Sequence, residues 1–460
     1  MRPKIRTILQ YTLYCALGIQ CIFGMLWFVS NIGRVQEFGL GDAYIRSANA
    51  LFQRRADALP VSAGILYKPV AGAIIELVKC SVIPDIVAYV VLYLVQLAAL
   101  FLAIKFALDT LWNNTDKKSN RLHILAAIAC LSIPEVLQCA LSVLPNTLAA
   151  AGLLTMGTMA IRGIRDITSE EKINRKQVAY TTLKLGGLWM VTTLLLPEYG
   201  IFGLVIMIAF LVGLMKNKKM GWVTFLTALI FPLITVGIYC GMVSGERLEK
   251  QENVFMLSMV SRFVGPDFQH NHNNWPDEFK QIIDWETSGK VALDTDGTWT
   301  VMQPIMREHL SEKECDRIYL NLVKKAIMVR KKSIVGSVSL DFLSYLFTPY
   351  FVPKQLDGIG GDSFSGRNYE VMKANTPQLT EWYVRYGGFC FFLCIVVILF
   401  EKIEGMFAGI PRLKWSKAWW ILAVAMSIYY TMLGYGRMDY KLSIFIMILW
   451  MIRAFCTIKE

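Results

Sequence analysis

The residues of this chain best placed to do chemistry are a few acids and bases at the edges of apolar blocks. Asp42 follows the first long apolar run and precedes a segment with helical periodicity. In that segment Tyr44, Ala48, Leu51, Phe52 and Leu59 recur on one side, and Arg46, Asn49, Gln53 and Arg54 on the other. A stretch of this kind lies along a membrane surface rather than crossing it. A carboxylate ahead of it can cap the helix, or it can face a lipid phosphate or take the proton of a reacting hydroxyl. Arg437, at the mouth of the last apolar run, stands where positive-inside statistics disfavour an arginine without a partner. Its planar fork suits phosphate oxygens; an ion pair with Asp439 is the alternative. Lys68 and Arg46 are secondary candidates for phosphate. Glu135 and Glu198 stand beside prolines at helix ends, either as functional acids or as interface-level residues. His270 and His272 are two apart on a polar loop with no nearby cysteine or well-spaced acid, so a metal is not expected.

The elements that must hold these residues follow from composition. Of 460 residues, 55% are hydrophobic and 18% charged, whereas soluble chains carry about a quarter charged residues. The apolar residues come in blocks, and a bilayer needs ~20 residues per helix. The chain reads as an all-α polytopic membrane protein. Its first block is too long and too poor in cleavage signals for a removed signal peptide, and reads as a retained helix. Ten spans are expected: 8–30, 85–112, 122–139, 144–161, 178–196, 198–215, 221–243, 386–401, 418–434 and 441–457.

The formal net charge of +12 is distributed as topology demands, which argues against nucleic-acid binding. Lysine and arginine crowd the connections 1–7, 113–121, 162–177, 216–220 and 402–417, and the turns near 140–143 and 196–198 have none. The positive-inside rule then places both termini in the cytoplasm. Most of the ten cysteines sit inside apolar runs, where cysteine behaves as a small hydrophobe, and no CxxC pair occurs.

Three parts are expected. Residues 1–243 form an N-terminal transmembrane module with a first outer loop at 31–84; residues 244–385 form an extracytoplasmic domain of mixed helices; residues 386–460 hold the last three spans. The long polar insertion has the tryptophans (Trp275, Trp285, Trp299, Trp382) needed for a core. Within it "ENVFMLSMVSRFV" and "CDRIYLNLVKKAIMV" are helical in period, whereas "HNHNNWPDEF" and "DGIGGDSFSGRN" read as turn-rich loops.

An acid after the first span, a surface helix, "YKPV" and then a second span resemble the polytopic glycosyltransferases of the GT-C superfamily. There the turn is aromatic-Pro-Pro; here Lys68 takes the middle position. "SIPEVLQCALSVLPNTLAAAGLL" resembles the hairpin between that superfamily's third and fourth spans. "LLLPEYGIFGLVI" resembles its RPEG-like turn, with Leu196 in place of the arginine, and "GYGRMDYKLSIFIMILW" its Arg-x-x-Tyr approach to the last span. The resemblance covers most of the chain in order and sidedness. It implies a bacterial plasma-membrane enzyme that moves a sugar from a polyprenyl-phosphate donor to a glycan, lipid or polymer at the outer leaflet. It further implies Asp42 as the base, Glu198 as a second catalytic acid, and Arg437, Lys68, Arg46, Glu135 and Tyr440 around the substrates. Neither metal nor cofactor is implied. The alternatives are a polysaccharide polymerase or ligase, with arginine-rich outer loops, and a lipid-linked glycan transporter, which would place more charge at mid-membrane and repeat one half in the other. A non-catalytic receptor or scaffold is the plainest option.

Overall fold

A computed structural model describes residues 3–31, 65–78, 85–112, 117–141, 143, 145–169, 175–216, 221–243, 256, 259–260, 263–264, 275–283, 302–329, 331–347, 377–408, 416–433 and 440–459. The described residues form helices joined by short turns, with no strand among them. Five helices contain a stretch long and apolar enough to cross a membrane: Tyr11–Ser30, Val87–Leu111, Asn146–Ile167, Tyr199–Lys216 and Gln378–Phe400. Shorter apolar stretches lie at Arg121–Leu131, Thr224–Ile238 and Phe445–Phe455. Among the described residues the protein is all-helical, and its long apolar helices mark it as a membrane protein.

Two compact units divide the chain. One comprises Met1–Arg247, Met372–Leu422 and Ile444–Glu460; the other comprises Leu248–Val371 and Ala423–Ser443. In the first unit the helices are α1 (Pro3–Asn31), α2 (Tyr67–Val78), α3 (Asp85–Trp112), α4 (Lys117–Leu131), α5 (Pro134–Ala140), α6 (Asn146–Ser169), α7 (Arg175–Leu195), α8 (Pro197–Lys216), α9 (Trp222–Val243) and α14 (Pro377–Ala408). The second unit holds α10 (Asp277–Ile282), α11 (Gln303–His309), α12 (Glu312–Val329) and α13 (Lys331–Phe347). Two more helices, α15 (Ser416–Leu433) and α16 (Tyr440–Lys459), have residues in both units.

Proline sets two of the breaks. The expected span 122–139 is two helices, α4 and α5, because Pro134 has no N–H to continue the ladder. Ile133 before it is extended (φ −61°, ψ 130°), as steric contact with a following proline ring requires. Pro197 likewise opens α8 after the single non-helical residue Leu196, so the chain doubles back directly from α7. The expected span from 386 belongs to a longer helix, α14, which begins at Pro377.

Contacts between side chains fix the directions of the bundle. Trp27 Nε1 donates to Thr380 Oγ1 (2.9 Å), Cys390 Sγ to the Ala16 carbonyl (3.4 Å), and Tyr386 stacks obliquely on Phe23 at 5.4 Å. Rising numbers in α1 meet falling ones in α14, so the pair is antiparallel. Trp189 Nε1 donates to the Gly200 carbonyl (2.8 Å), which closes the α7–α8 hairpin. Small residues permit the closest approaches. A Cβ on Gly152 of α6 would lie 2.4 Å from Thr192 Oγ1 of α7, and one on Gly186 of α7 would lie 2.3 Å from Phe231 of α9. Small residues at such crossings are how helices gain packing where lipid offers no hydrophobic drive.

The second unit has a core of its own, built on Val260, Phe263, Trp275, Phe279, Met306, Ile318, Tyr319, Leu322 and Val323. Trp275 meets Phe279 edge-on, with ring centroids 5.1 Å apart. α12 takes the helical period expected of "CDRIYLNLVKKAIMV", whereas the end of "HNHNNWPDEF" forms the start of α10 rather than a loop. The buried Tyr319 hydroxyl donates to Gln303 Oε1. At the start of α12, Ser311 donates from both its amide (3.0 Å) and its hydroxyl (2.6 Å) to Glu314 Oε2, a cap that holds the Glu314 carboxyl below its usual range. Burial pushes the nearby Cys315 thiol up.

Gly387 of α14 marks where the α4–α5 break is packed. A Cβ there would meet Pro134 Cγ at 2.5 Å and Cδ at 2.6 Å. Gly387→Ala is expected to cost about 1–3 kcal/mol through overpacking, seen as a lower thermal midpoint of the purified protein in detergent. An unchanged midpoint would mean that α14 and α5 separate freely.

Candidate functional site

The helix directions give the first unit two ends. One carries Lys117, Arg121, Arg165, Arg175 and Lys216 at helix termini; the other carries the α4–α5 break, the start of α6 and the α7–α8 turn. Interrupted helices free backbone groups, and in apolar surroundings those groups must find partners within the protein.

At the second end the partners are side chains. Gln96 of α3 is fully buried, accepts from the Tyr67 hydroxyl (3.0 Å) and donates to the Ala140 carbonyl at the end of α5 (2.8 Å). The Leu66 amide, just before α2, donates to the Leu194 carbonyl near the end of α7 (2.9 Å). Three bonds therefore tie the start of α2, the end of α5 and the α7–α8 turn around α3. Beside them Ser132, at the break, receives Gln20 Nε2 of α1 on its hydroxyl (3.3 Å), and its carbonyl receives the Tyr383 hydroxyl of α14 (2.5 Å).

Three of the residues expected from sequence stand on helices that begin at this end. Lys68 is the second residue of α2, Glu135 the second of α5 and Glu198 the second of α8. Glu198 lies four residues after Leu194, Lys68 two after Leu66, and Glu135 on the short helix that ends at Ala140. For both glutamates, a first-turn acid behind an opening proline also complements the helix macrodipole. Lys68, in the first turn of α2, does not complement that dipole. Tyr440 opens α16 and belongs to the second unit. Asp42, Arg46 and Arg437, together with His270 and His272, lie outside the described residues.

Two buried hydroxyls of the first unit, on Tyr93 and Thr147, have no hydrogen-bond partner among the described residues. Tyr93 is three residues before Gln96 on the same face of α3, and Thr147 is at the start of α6, which packs on α3. Sequence reasoning passed over both, along with Gln96, and met Tyr67 only as the aromatic of the "YKPV" turn. Polar residues inside apolar blocks were the available signal.

The opposite end holds an ion cluster. Asp109 of α3 accepts from Lys105 Nζ at 2.8 Å and meets Nδ1 of the buried His123 of α4. Arg165 of α6 donates to the Thr110 carbonyl (3.2 Å). Lys184 of α7 sits 4.1 Å from the centre of the Tyr180 ring, a cation–π contact. Among the described residues no three His, Cys, Asp or Glu side chains are grouped to hold a metal.

Replacing Gln96 by leucine removes the acceptor of Tyr67 and the donor to Ala140 at once. The expected cost is about 1–3 kcal/mol, read as a lower thermal midpoint. Gln96→Glu, which sets a buried carboxylate oxygen against the Ala140 carbonyl, is expected to lower the midpoint at least as far as leucine does.

Comparison with protein-family models, curated proteins and solved structures finds no match for this chain, so its functional reading rests on the residues and packing described above.

Proposed function

We propose that the chain is a membrane glycosyltransferase that uses a polyprenyl-phosphate sugar, with ten spans and the 244–385 insertion on the outer side of a bacterial plasma membrane. The observation that carries this reading is the hydrogen-bonded seam around Gln96. It gathers the segments of Lys68, Glu135 and Glu198 at the end of the bundle opposite the basic helix termini. The Tyr93 and Thr147 hydroxyls, without a partner among the described residues, add polar capacity at the same end, and such buried groups call for an explanation such as a ligand or water.

In this reaction the acceptor hydroxyl oxygen attacks the anomeric carbon of the donor sugar. The bond from that carbon to the phosphate oxygen breaks, and polyprenyl phosphate leaves with the electron pair. The hydroxyl proton passes to the Asp42 carboxylate. Arg437, with Arg46 and Lys68 in support, neutralises the departing phosphate. Glu135, Glu198 and Tyr440 orient the sugars, and Glu198 is the reserve acid. Cationic side chains suffice for this leaving group, so no metal is required.

The direct test is transfer by purified protein given a polyprenyl-phosphate sugar. Asp42→Asn is expected to slow transfer ~10²–10⁴-fold as loss of a general base, with Arg437→Ala also strongly impaired. If Asp42 only caps a helix, the Asn variant transfers at near native rate, since losing a cap costs only ~1 kcal/mol of stability. Glu198→Gln is then the variant that decides whether the reading stands.

Chelation gives a second, independent check. EDTA is expected to leave transfer unchanged. Activity lost to EDTA and restored by a divalent ion would assign a metal role to His270 and His272.

A further inference from the structure

We propose that the α12–α13 corner of the second unit is a docking surface for a bilayer bearing anionic phospholipid. α12 turns Cys315, Ile318, Tyr319, Leu322 and Val323 into the core. α13 turns Ile334 and Val338 the same way, at four-residue spacing. Other described residues of the two helices face outward and are not uniformly polar. Met328 is 69% exposed, Val329 55%, Val335 65% and Leu343 46%. Met328 and Val329 end α12, and Val335 and Leu343 lie two turns apart along α13, so the apolar residues run from one helix onto the next.

Charge decides what covers such a surface. Lys324 and Lys325 stand just before the exposed apolar end of α12, and Lys331 and Lys332 open α13; all four are exposed. From residue 324 to residue 347 the sequence has five basic residues, Arg330 included, and one acid, Asp341. The acids of α12 (Glu312, Glu314, Asp316) are all in its first turns. Large apolar side chains bordered by lysine match the interfacial zone of a bilayer, where the side chain sinks to the acyl boundary and the ammonium meets phosphate. Lipid is also within reach, because the main segment of this unit is flanked in sequence by α9 and by α14, which contains the candidate span Gln378–Phe400. The proposal needs only a membrane protein and is independent of sugar transfer.

The full-length protein carrying a photo-crosslinking phenylalanine analogue at Val335 or Met328 is placed in nanodiscs of phosphatidylcholine, with or without phosphatidylglycerol. Illumination and mass spectrometry then identify adducts. Phospholipid adducts are expected at both positions, more abundant with phosphatidylglycerol, and absent from a control position at Glu312. Neutralising Lys331 and Lys332 with glutamine should lower the yield, up to about fivefold for each lysine; Lys324→Gln with Lys325→Gln, on the other helix, should act in the same direction. Adducts to a second copy of the chain, no lipid adducts, or equal yields with and without phosphatidylglycerol would each overturn the proposal.

Discussion

A helix broken within an apolar environment leaves carbonyls and amides that water cannot reach, and the rest of the first unit depends on how these are paired. Pro134 ends the α4 ladder early, and Leu196 with Pro197 ends that of α7. At the first break Ile133 donates to the Cys130 carbonyl and the Ser132 hydroxyl to that of Ala129, while Gln96 donates to Ala140 at the far end of the short α5; at the second Leu66 donates to Leu194. Because Tyr67 also bonds to Gln96, the end of α5 and the α7–α8 turn are coupled through the start of α2. The bundle end is therefore held by directional bonds, not by apolar contact alone.

The sequence made much of this fold readable, for a physical reason. Helix positions follow from apolar blocks, and α1, α3, α6, α8 and α14 are where those blocks predict. The α4–α5 break was harder to read, because residues on both sides of Pro134 are apolar and the block runs on through it. Pairings distant in sequence left no trace at all. Trp27 and Thr380 are joined by a hydrogen bond across nearly the whole chain, and neither residue type announces the other. His123 was passed over for a different reason. A lone histidine at a helix start carries no signal, but hairpin symmetry does: Asp109 and His123 are equidistant from position 116, inside the connection between α3 and α4. Reading the two helices as an antiparallel pair would have placed the acid against the ring.

The site was legible in part. Pro197–Glu198 lies at an expected boundary between spans and does open α8, whereas Pro134–Glu135 lies inside the expected span 122–139 and opens α5 instead. That these starts lie at the end where α2 begins depends on Tyr67, Gln96 and Leu66, whose roles arise only from packing. Tyrosine and glutamine inside apolar runs have no period or spacing to reveal a partner.

The two ends of the first unit differ in how completely their polar groups are used, and that difference bears on where chemistry can occur. At the basic end each oxygen of Asp109 has its own partner, Lys105 for one and His123 for the other. Bonded through both oxygens, the carboxylate acts as a clamp between α3 and α4. At the opposite end the bonds around Gln96 join neutral groups, and the buried hydroxyls of Tyr93 and Thr147 remain unsatisfied among the described residues. A buried hydroxyl without a partner costs on the order of 1–3 kcal/mol, a cost that a ligand bound there would remove. Stability alone would favour phenylalanine and valine at these two positions. Their hydroxyls leave polar capacity at the end where α2, α5 and α8 begin, which is where the proposed transfer would seat its substrates.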